Sequence, residues 1–432
     1  MIFFDSIKAR LLSSRFFKDS FWAVFGNGIG NALLLLSGIL IARFMGKDLY
    51  GEYGLVKTTM FYVAAFSTFG LGYTSTKWIA EYLIRDKALV FNIVRDSLKI
   101  TIVSSSILAL LLIVFATPLS IYLEEPSLAM PLRLLGLIVI CRALTTTFSG
   151  ILAGFDSFKV LAYNSIYSGI VMICTCVPLT YFLGLTGALL SLLISQLFNT
   201  FINYLSVKKE CRDYINTVDR RFVKDLLTFS VPVALQELSF SLCTWGSMLI
   251  LTKWSTFGEV GLYTAASQWN AIILFIPGLL SNVMLTHLSM AVNNSKKHAR
   301  TVNMLLAVSL VCTVIPFIII YLLAPWIVSF YGDSFAAMKP VLRIMVFGTI
   351  FTCLTSVLSN ELISEGKTWV LFAFRFSRDV LTIIGSYYVL ISYPGEGSAV
   401  RFAIVGVIVG ALFFLGLFSY TKLSVSRNRI EV

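Results

Sequence analysis

Ionisable side chains lie inside several long apolar stretches of this 432-residue chain. A charge at bilayer depth costs roughly 2.5–3.5 kcal/mol on insertion scales, so such residues are functional candidates by default. In the richest stretch, polar residues recur at i, i+3, i+4, i+7 and i+11 and therefore share one helical face: Arg375, Arg378, Asp379, Thr382 and Ser386. We predict that this face lines an aqueous cavity. The alternative is an internal Arg375–Asp379 ion pair, with Arg378 reaching toward the membrane interface.

Other apolar stretches add further charges. Arg142 and Lys57 are cationic, and Glu237 adds a carboxylate. Guanidinium groups bind phosphate bidentately, so a cationic cavity suits an anionic substrate, with phosphate as the expected anion. The candidate substrate-binding residues are therefore Arg142, Arg375, Arg378 and Lys57. Lys57 lies one turn inside its stretch, and outward snorkelling of its side chain is the alternative.

The two carboxylates in these stretches, Glu237 and Asp379, are the candidates for ion coupling, with H⁺ or Na⁺ as the exchanged ion. No other cofactor is expected. The two histidines, His287 and His298, both fall at or near a predicted membrane boundary, which argues against a metal site. Gly366-Lys367-Thr368 lacks the earlier glycine that a phosphate-binding loop requires, so ATP hydrolysis is not expected.

The elements that must position these residues follow from composition. The chain is 57% hydrophobic and 13% charged, against roughly 25% charged residues in soluble domains, and apolar runs of about 20 residues recur along it. The sequence predicts an all-α polytopic membrane protein with about twelve transmembrane helices. The predicted spans lie near residues 21–44, 53–73, 98–118, 130–153, 160–182, 185–206, 227–251, 260–286, 303–323, 338–359, 369–390 and 399–419.

The basic residues predict the orientation. Most of the 34 Lys and Arg residues fall on one side of the membrane if both termini are cytoplasmic, as the positive-inside rule requires. Basic loops facing anionic lipid also account for much of the net charge of +12. We therefore expect membrane lipids as partners and no nucleic acid.

A five-residue block occurs twice, about half the chain apart, as Gly51-Glu52-Tyr53-Gly54-Leu55 and Gly258-Glu259-Val260-Gly261-Leu262. Such self-similarity indicates an internal repeat. With six spans each, two halves enter the membrane in the same direction, an arrangement in which substrate is held between the repeats. We predict an N-terminal six-helix bundle over 1–207, a cytoplasmic linker over 208–225 and a parallel C-terminal six-helix bundle over 226–432.

The first span of each half is interrupted at a matching position. Gly26, Gly28 and Gly30 lie in the first half, and Pro232 lies in the second. Matched interruptions of this kind predict hinges around a central site. The alternative is that the small residues only allow helices to pack closely.

Several segments, taken in order and spacing, resemble the Wzx-type O-antigen flippases, the polysaccharide transporter branch of the superfamily that also contains the multidrug MATE exporters. The matching segments are Gly46-Lys47-Asp48-Leu49-Tyr50-Gly51-Glu52-Tyr53-Gly54, Gly70-Leu71-Gly72-Tyr73-Thr74 running to Ile79-Ala80-Glu81-Tyr82, Gly150-Ile151-Leu152-Ala153-Gly154-Phe155 with Phe158-Lys159, and Ser267-Gln268-Trp269-Asn270 through Ile276-Pro277-Gly278.

This resemblance implies a V-shaped, MATE-like transporter in the bacterial inner membrane. Its implied substrate is an undecaprenyl-pyrophosphate-linked oligosaccharide, flipped from the cytoplasmic to the periplasmic leaflet for polysaccharide or lipopolysaccharide synthesis. The implied partners are a polysaccharide polymerase and a chain-length regulator. The alternative function is a MATE-like small-molecule or drug antiporter, which favours an acidic cavity. A membrane enzyme is not expected, because the sequence contains no large external loop and no clustered catalytic residues.

Overall fold

The computed structural model describes residues 15–214, 222–291 and 295–428. Within these ranges the regular structure is helical, with eleven α-helices joined by short turns. The helices are α1 (Arg15–Ser67), α2 (Leu71–Arg85), α3 (Val90–Tyr122), α4 (Ala129–Gly154), α5 (Phe158–Glu210), α6 (Val223–Lys253), α7 (Phe257–Ala291), α8 (Ser295–Tyr331), α9 (Met338–Ser364), α10 (Thr368–Ser392) and α11 (Ser398–Asn428).

Helix α5 contains two of the predicted spans. Its 53 residues are interrupted at Gly184, whose φ of 55° and ψ of −130° break the helix. The two parts then pack against each other: Asn164 donates a hydrogen bond to Asn203 at 3.1 Å, and the Ser168 and Ser195 hydroxyls lie 3.3 Å apart. Because later residues of one part meet earlier residues of the other, α5 is an antiparallel hairpin, as the spans near 160–182 and 185–206 predict.

Helix α1 is divided in the same way at Gly46, with φ 73° and ψ 174°. The span predicted near 53–73 differs from the structure, because α1 ends at Ser67 and the chain resumes as α2. Phe69 and Gly70 between them have φ values of 47° and 69°. Consecutive left-handed residues cannot continue a right-handed helix, so the break is local and sharp.

Helix α3 shows why the fold needs a membrane. Its buried face carries Ser97, Thr101 and Ser104, whereas its exposed face is apolar and includes Ile107 and Leu110. This is the reverse of a helix in a soluble protein, where the apolar stripe faces the core. Seven of the described segments are long and apolar enough to cross a bilayer. Together with the divided helices, this confirms an all-α polytopic membrane fold of about twelve transmembrane helices.

Two turns, half the chain apart, have the same conformation. The α4–α5 turn passes through Asp156 at φ 61°, and the α9–α10 turn passes through Gly366 at φ 75°. The residues that follow, Ser157 and Lys367, both have ψ 45° with φ of −87° and −85°. Equivalent turns between equivalent helices are what an internal repeat predicts.

The chain forms two compact units. One contains Val56–Ser241 with the preceding chain up to Phe44, and the other contains Met45–Leu55 with the chain from Leu242 onward. A short segment of α1 therefore belongs to the second unit.

That segment brings the two repeated blocks into contact within the second unit. A Cβ atom added at Gly51 would overlap the Phe257 carbonyl and lie 3.1 Å from the Gly261 backbone nitrogen. A Cβ atom at Gly54 would lie 2.5 Å from the Thr264 hydroxyl oxygen. The block glycines thus let the two backbones approach closely, which is the role of small residues at membrane helix interfaces.

Candidate functional site

The first unit contains a cationic cluster, which we define as Lys57 and Phe61 on α1 and Arg142 on α4. The Arg142 guanidinium carbon lies 4.8 Å from the centre of the Phe61 ring. Lys57 lies one turn before Phe61 and close enough to Arg142 for the two positive charges to repel. Both cationic side chains are only partly exposed. The structure therefore places two of the predicted substrate-binding residues together.

The position of Lys57 beside Arg142 bears on the snorkelling alternative. A lysine that serves only to reach the interface does not need a second cation next to it. Within the described residues, Arg142 has the Phe61 ring as its side-chain partner and no carboxylate. An ammonium and a guanidinium side by side suit an anionic group such as phosphate.

The second unit contains the charged face of α10. Arg378 donates two hydrogen bonds to one Asp379 carboxylate oxygen, from Nε at 2.8 Å and from Nη2 at 2.6 Å. The guanidinium also lies over the Phe413 ring of α11, 5.1 Å from its centre. Asp379 is buried, and Arg375 lies within electrostatic range of it. The structure brings these three predicted residues together.

The ion pair in α10 differs from the alternative considered for the sequence, in which Arg375 paired with Asp379. Arg378 forms the ion pair with Asp379 instead. Further along the same face, Ser386 is fully buried, and its hydroxyl has no hydrogen-bond partner among the described residues. The α10 face is thus charged near the middle of the helix and carries a buried hydroxyl nearer its C-terminal end.

The predicted hinge glycines lie within regular helix. A Cβ atom at Gly26 would overlap Ala162, and one at Gly30 would overlap Ser165, so α1 packs tightly on α5 there. This contact supports the packing alternative for Gly26 and Gly30. Gly28 is partly exposed on the same helix, and hinge motion at the three glycines stays a prediction.

Two of the predicted residues lie outside the part of the chain whose side chains the structure describes. Pro232 and Glu237 fall within α6, whose bounds are known. Their proposed roles as hinge and ion-coupling residue stay predictions.

Two carboxylates that the sequence did not single out act as helix caps. Asp96 accepts a hydrogen bond from the Phe222 backbone N–H at 2.8 Å, immediately before α6. Glu259, inside the second repeated block, accepts hydrogen bonds from the backbone N–H groups of Gly397 and Ala399 at 2.9 and 2.8 Å. Both interactions join residues more than 120 positions apart, which local sequence patterns do not reveal.

Two further cationic residues border a cavity of about 640 Å³ among α8, α9 and α11. Its wall is largely apolar, with Phe317, Phe347 and Ile404 among the lining residues, and Lys339 and Arg343 lie on it. The Arg343 guanidinium carbon lies 4.3 Å from the centre of the Tyr321 ring. This arrangement has the chemistry to hold an apolar chain with an anionic head.

Comparison with known proteins places the chain in a family. The model of the family described as "Polysaccharide biosynthesis protein" matches residues 16–285. This chain belongs to that family. The resemblance seen in the sequence to the Wzx-type branch of the superfamily is thereby confirmed.

Two curated relatives agree with this assignment. A Shigella flexneri protein named for O-antigen transport is 22% identical over 419 residues, covering 93% of this chain and 97% of that protein. Stage V sporulation protein B of Bacillus subtilis is 27% identical over 245 residues, covering 54% of this chain and 46% of that protein.

Solved structures support the fold. An inward-facing multidrug resistance MATE transporter of the MOP superfamily has a TM-score of 0.79 at 17% identity, covering 92% of this chain and 95% of that one. A MOP superfamily transporter from Pyrococcus furiosus, described as having a binding pocket of reversed polarity, has a TM-score of 0.65 at 18% identity, with 96% and 97% covered. At such identities the likeness concerns fold alone.

Proposed function

We propose that this protein is a flippase that moves an undecaprenyl-pyrophosphate-linked oligosaccharide from the cytoplasmic to the periplasmic leaflet of the bacterial inner membrane. The observation that carries the proposal is the partly exposed cationic cluster of Lys57 and Arg142 in a transmembrane member of the polysaccharide biosynthesis family. A pyrophosphate group supplies the anionic charge that such a cluster favours. The name of the Shigella flexneri relative supports the same class of substrate.

The cluster has a second property that suits this substrate. The Phe61 ring beside the Arg142 guanidinium holds that side chain by a cation–π contact, worth about 0.5–2 kcal/mol. A planar guanidinium fixed in this way presents its donor edge to a phosphate in a defined direction. The partly buried Arg375 and Arg378 in the second unit would bind further anionic or hydroxyl groups.

The proposed test is leaflet exchange of an undecaprenyl-pyrophosphate oligosaccharide in proteoliposomes. Arg142→Ala is expected to reduce the exchange rate at least about tenfold, the effect of losing one charge-assisted hydrogen bond, and Arg142→Lys should restore part of it. Arg133→Ala is the matched control, because Arg133 lies on the same helix but is exposed and bonded to Thr117 at 3.1 Å. Arg133→Ala should keep the wild-type rate.

The outcomes separate the site from the function. Exchange by wild type and by Arg142→Ala at equal rates would discard the cationic cluster and keep the flippase. Absence of exchange by folded wild-type protein with its native donor lipid would discard the flippase. Uptake of a lipophilic organic cation by the same vesicles would then favour the small-molecule antiporter, which the MATE fold also accommodates.

We further propose that transport is coupled to a H⁺ or Na⁺ gradient through Asp379 and Glu237. Asp379 is buried beside two arginines, a setting in which a small cation and a guanidinium compete for one carboxylate. Imposed pH and sodium gradients should each be applied to sealed vesicles. Exchange that ignores both gradients would contradict the coupling.

The proposed orientation places both termini in the cytoplasm, in accordance with the distribution of Lys and Arg residues. In this orientation the repeated blocks lie toward the periplasm and the 208–225 linker lies in the cytoplasm. A polysaccharide polymerase and a chain-length regulator are the proposed protein partners, since they would receive the translocated units.

A further inference from the structure

A buried histidine and two glutamates meet at one end of the second unit, in what we call the His298 cluster: His298, Glu361 and Glu365. His298 belongs to the first turn of α8, Glu361 to the last turn of α9, and Glu365 directly follows α9. The His298 Nε2 atom lies 3.7 Å from Oε1 of Glu361 and 3.7 Å from Oε1 of Glu365. One ligand atom from each residue lies within 4.8 Å of the others.

His298 and Glu361 are buried, and three of their polar atoms lack a hydrogen-bond partner among the described residues. His298 is 5% exposed and Glu361 is 4% exposed. Neither ring nitrogen of His298, nor Oε2 of Glu361, has a hydrogen-bond partner among the described residues. Buried polar groups in proteins are nearly always paired, and each exception calls for an explanation such as a bound ion.

The distances favour an ion over a direct contact. A charge-assisted hydrogen bond from a protonated histidine would bring nitrogen and oxygen to about 2.7–2.9 Å, and both distances here are 3.7 Å. A divalent metal binds nitrogen and carboxylate oxygen at about 2.0–2.2 Å, so two ligands of one tetrahedral ion lie about 3.4 Å apart. The two distances from His298 are therefore close to those between ligands that share an ion.

We propose that the His298 cluster binds one divalent first-row metal ion, with Zn²⁺ as the reference ion. An imidazole with two carboxylates suits Zn²⁺ or Mn²⁺ better than Mg²⁺ or Ca²⁺, which prefer oxygen ligands alone. His298 Nε2 and one oxygen each from Glu361 and Glu365 are the protein ligands. The role is structural and does not depend on the proposed transport activity.

Neighbouring residues support the assignment. Lys367 binds the other Glu365 oxygen, Oε2, at 2.8 Å, which orients Oε1 toward His298 as an outer-shell partner orients a metal ligand. Glu365 is 22% exposed at its side chain, so one of the three ligands is partly accessible. A bound ion would fasten the first turn of α8 to the α9–α10 turn.

The equivalent turn of the first unit is fastened by other means. There, the Ser157 hydroxyl donates a hydrogen bond to Oε1 of Glu210 at 2.7 Å, which ties the α4–α5 turn to the end of α5. Both copies of this turn are thus held by a carboxylate. In the second copy the carboxylates meet a histidine, and a metal takes the place of the direct hydrogen bond.

The experiment uses the full chain in detergent, purified without a polyhistidine tag and stripped with a chelator. After equilibrium dialysis against Zn²⁺, elemental analysis should find about one ion per chain, and Zn²⁺ should raise the unfolding temperature where Mg²⁺ does not. His298→Gln and Glu361→Gln should each weaken Zn²⁺ binding at least about tenfold. Glu81→Gln is the control, because Glu81 forms an ion pair with Arg85 within α2 and does not belong to the cluster.

A Zn²⁺ content below about a tenth of an ion per chain in folded wild type would overturn the proposal. Equal binding by wild type and His298→Gln would also overturn it. If both variants fail to fold, the absorption spectrum of Co²⁺-loaded wild-type protein tests the site instead. Ligand-field absorption bands of a protein-bound ion support the site, and the spectrum of hydrated Co²⁺ contradicts it.

Discussion

Arg378 binds its immediate neighbour Asp379 through two hydrogen bonds to a single oxygen, at 2.8 and 2.6 Å. The side chain of Arg378 is 27% exposed and that of Asp379 is 9% exposed. The guanidinium therefore compensates the charge of a buried carboxylate.

Arg378→Ala is expected to lower stability by roughly 1–3 kcal/mol, because it leaves a buried carboxylate without its partner. Arg378→Ala/Asp379→Asn should lose less than the sum of the two single variants, since residues in direct contact couple. The unfolding temperature in detergent measures each variant. Additive losses would show that the two side chains act independently.

The contact between the repeated blocks makes a prediction at Gly51 and Gly261. An alanine at either position meets backbone atoms, which cannot yield as a flexible side chain can, so each substitution should cost about 1–3 kcal/mol by overpacking. Gly410→Ala is the matched control: it also lies in a membrane helix, and nothing lies within 4 Å of its added Cβ atom.

Thermal unfolding of these three alanine variants supplies the comparison. Gly410→Ala should be neutral or gain up to about 1 kcal/mol, because alanine favours helix over glycine. If Gly51→Ala matches Gly410→Ala, the two blocks do not pack as described.

Glu259 provides a third test. Its carboxylate accepts both backbone hydrogen bonds at the start of α11, and a negative charge at a helix N-terminus is stabilising. Glu259→Ala should cost about 1–2 kcal/mol, and Glu259→Gln should cost less, because the amide keeps one acceptor. Urea-dependent unfolding in mild detergent measures the two losses, and Glu125→Gln on another turn serves as control. Equal stability of Glu259→Ala and wild type would contradict the cap.

Cysteine reactivity tests the burial of the segment after α5. Burial, with a smaller effect from nearby Glu210, raises the pKa of the Cys211 thiol to about 11. Because the thiolate is the reactive form, Cys211 should react with maleimide at pH 8 roughly 200-fold more slowly than an ordinary thiol of pKa about 8.5. Its rate should rise about tenfold per pH unit up to pH 10.

The control for the Cys211 labelling rate is a cysteine at the next position, 212. Arg212 is exposed, so Arg212→Cys, with the seven native cysteines replaced, should label at the ordinary rate. The comparison is a variant that keeps Cys211 as its single cysteine. Similar rates at pH 8 would show that Cys211 is not buried. Labelling of Arg212→Cys by an impermeant reagent in oriented vesicles also reports the side of the membrane on which this segment lies.

The sequence predicts the spans well because hydrophobic length is a local property. The division of residues 158–210 into two spans, for example, needs only the apolar runs around Gly184. The sequence does not specify which arginine binds Asp379. Helical periodicity places Arg375 and Arg378 on the same face as Asp379, and only the packing of the side chains selects Arg378.

Long-range contacts are harder to predict. His298 and Glu361 belong to different helices, and nothing in either local sequence marks them as neighbours. The repeated blocks are visible in the sequence, yet their contact with each other depends on Met45–Leu55 joining the second unit. Repetition predicts equivalence of the halves and does not specify which surfaces touch.

The hairpin of α5 has a consequence for how the chain enters the membrane during synthesis. Asn164 in its first part is satisfied by Asn203 and Ser206 in its second, at 3.1 and 3.2 Å. Either part released alone into lipid would expose these amides to hydrocarbon, where unsatisfied polar groups cost several kcal/mol each. The insertion machinery should therefore retain the first part until the second has been translated, and pass both to the bilayer as one piece.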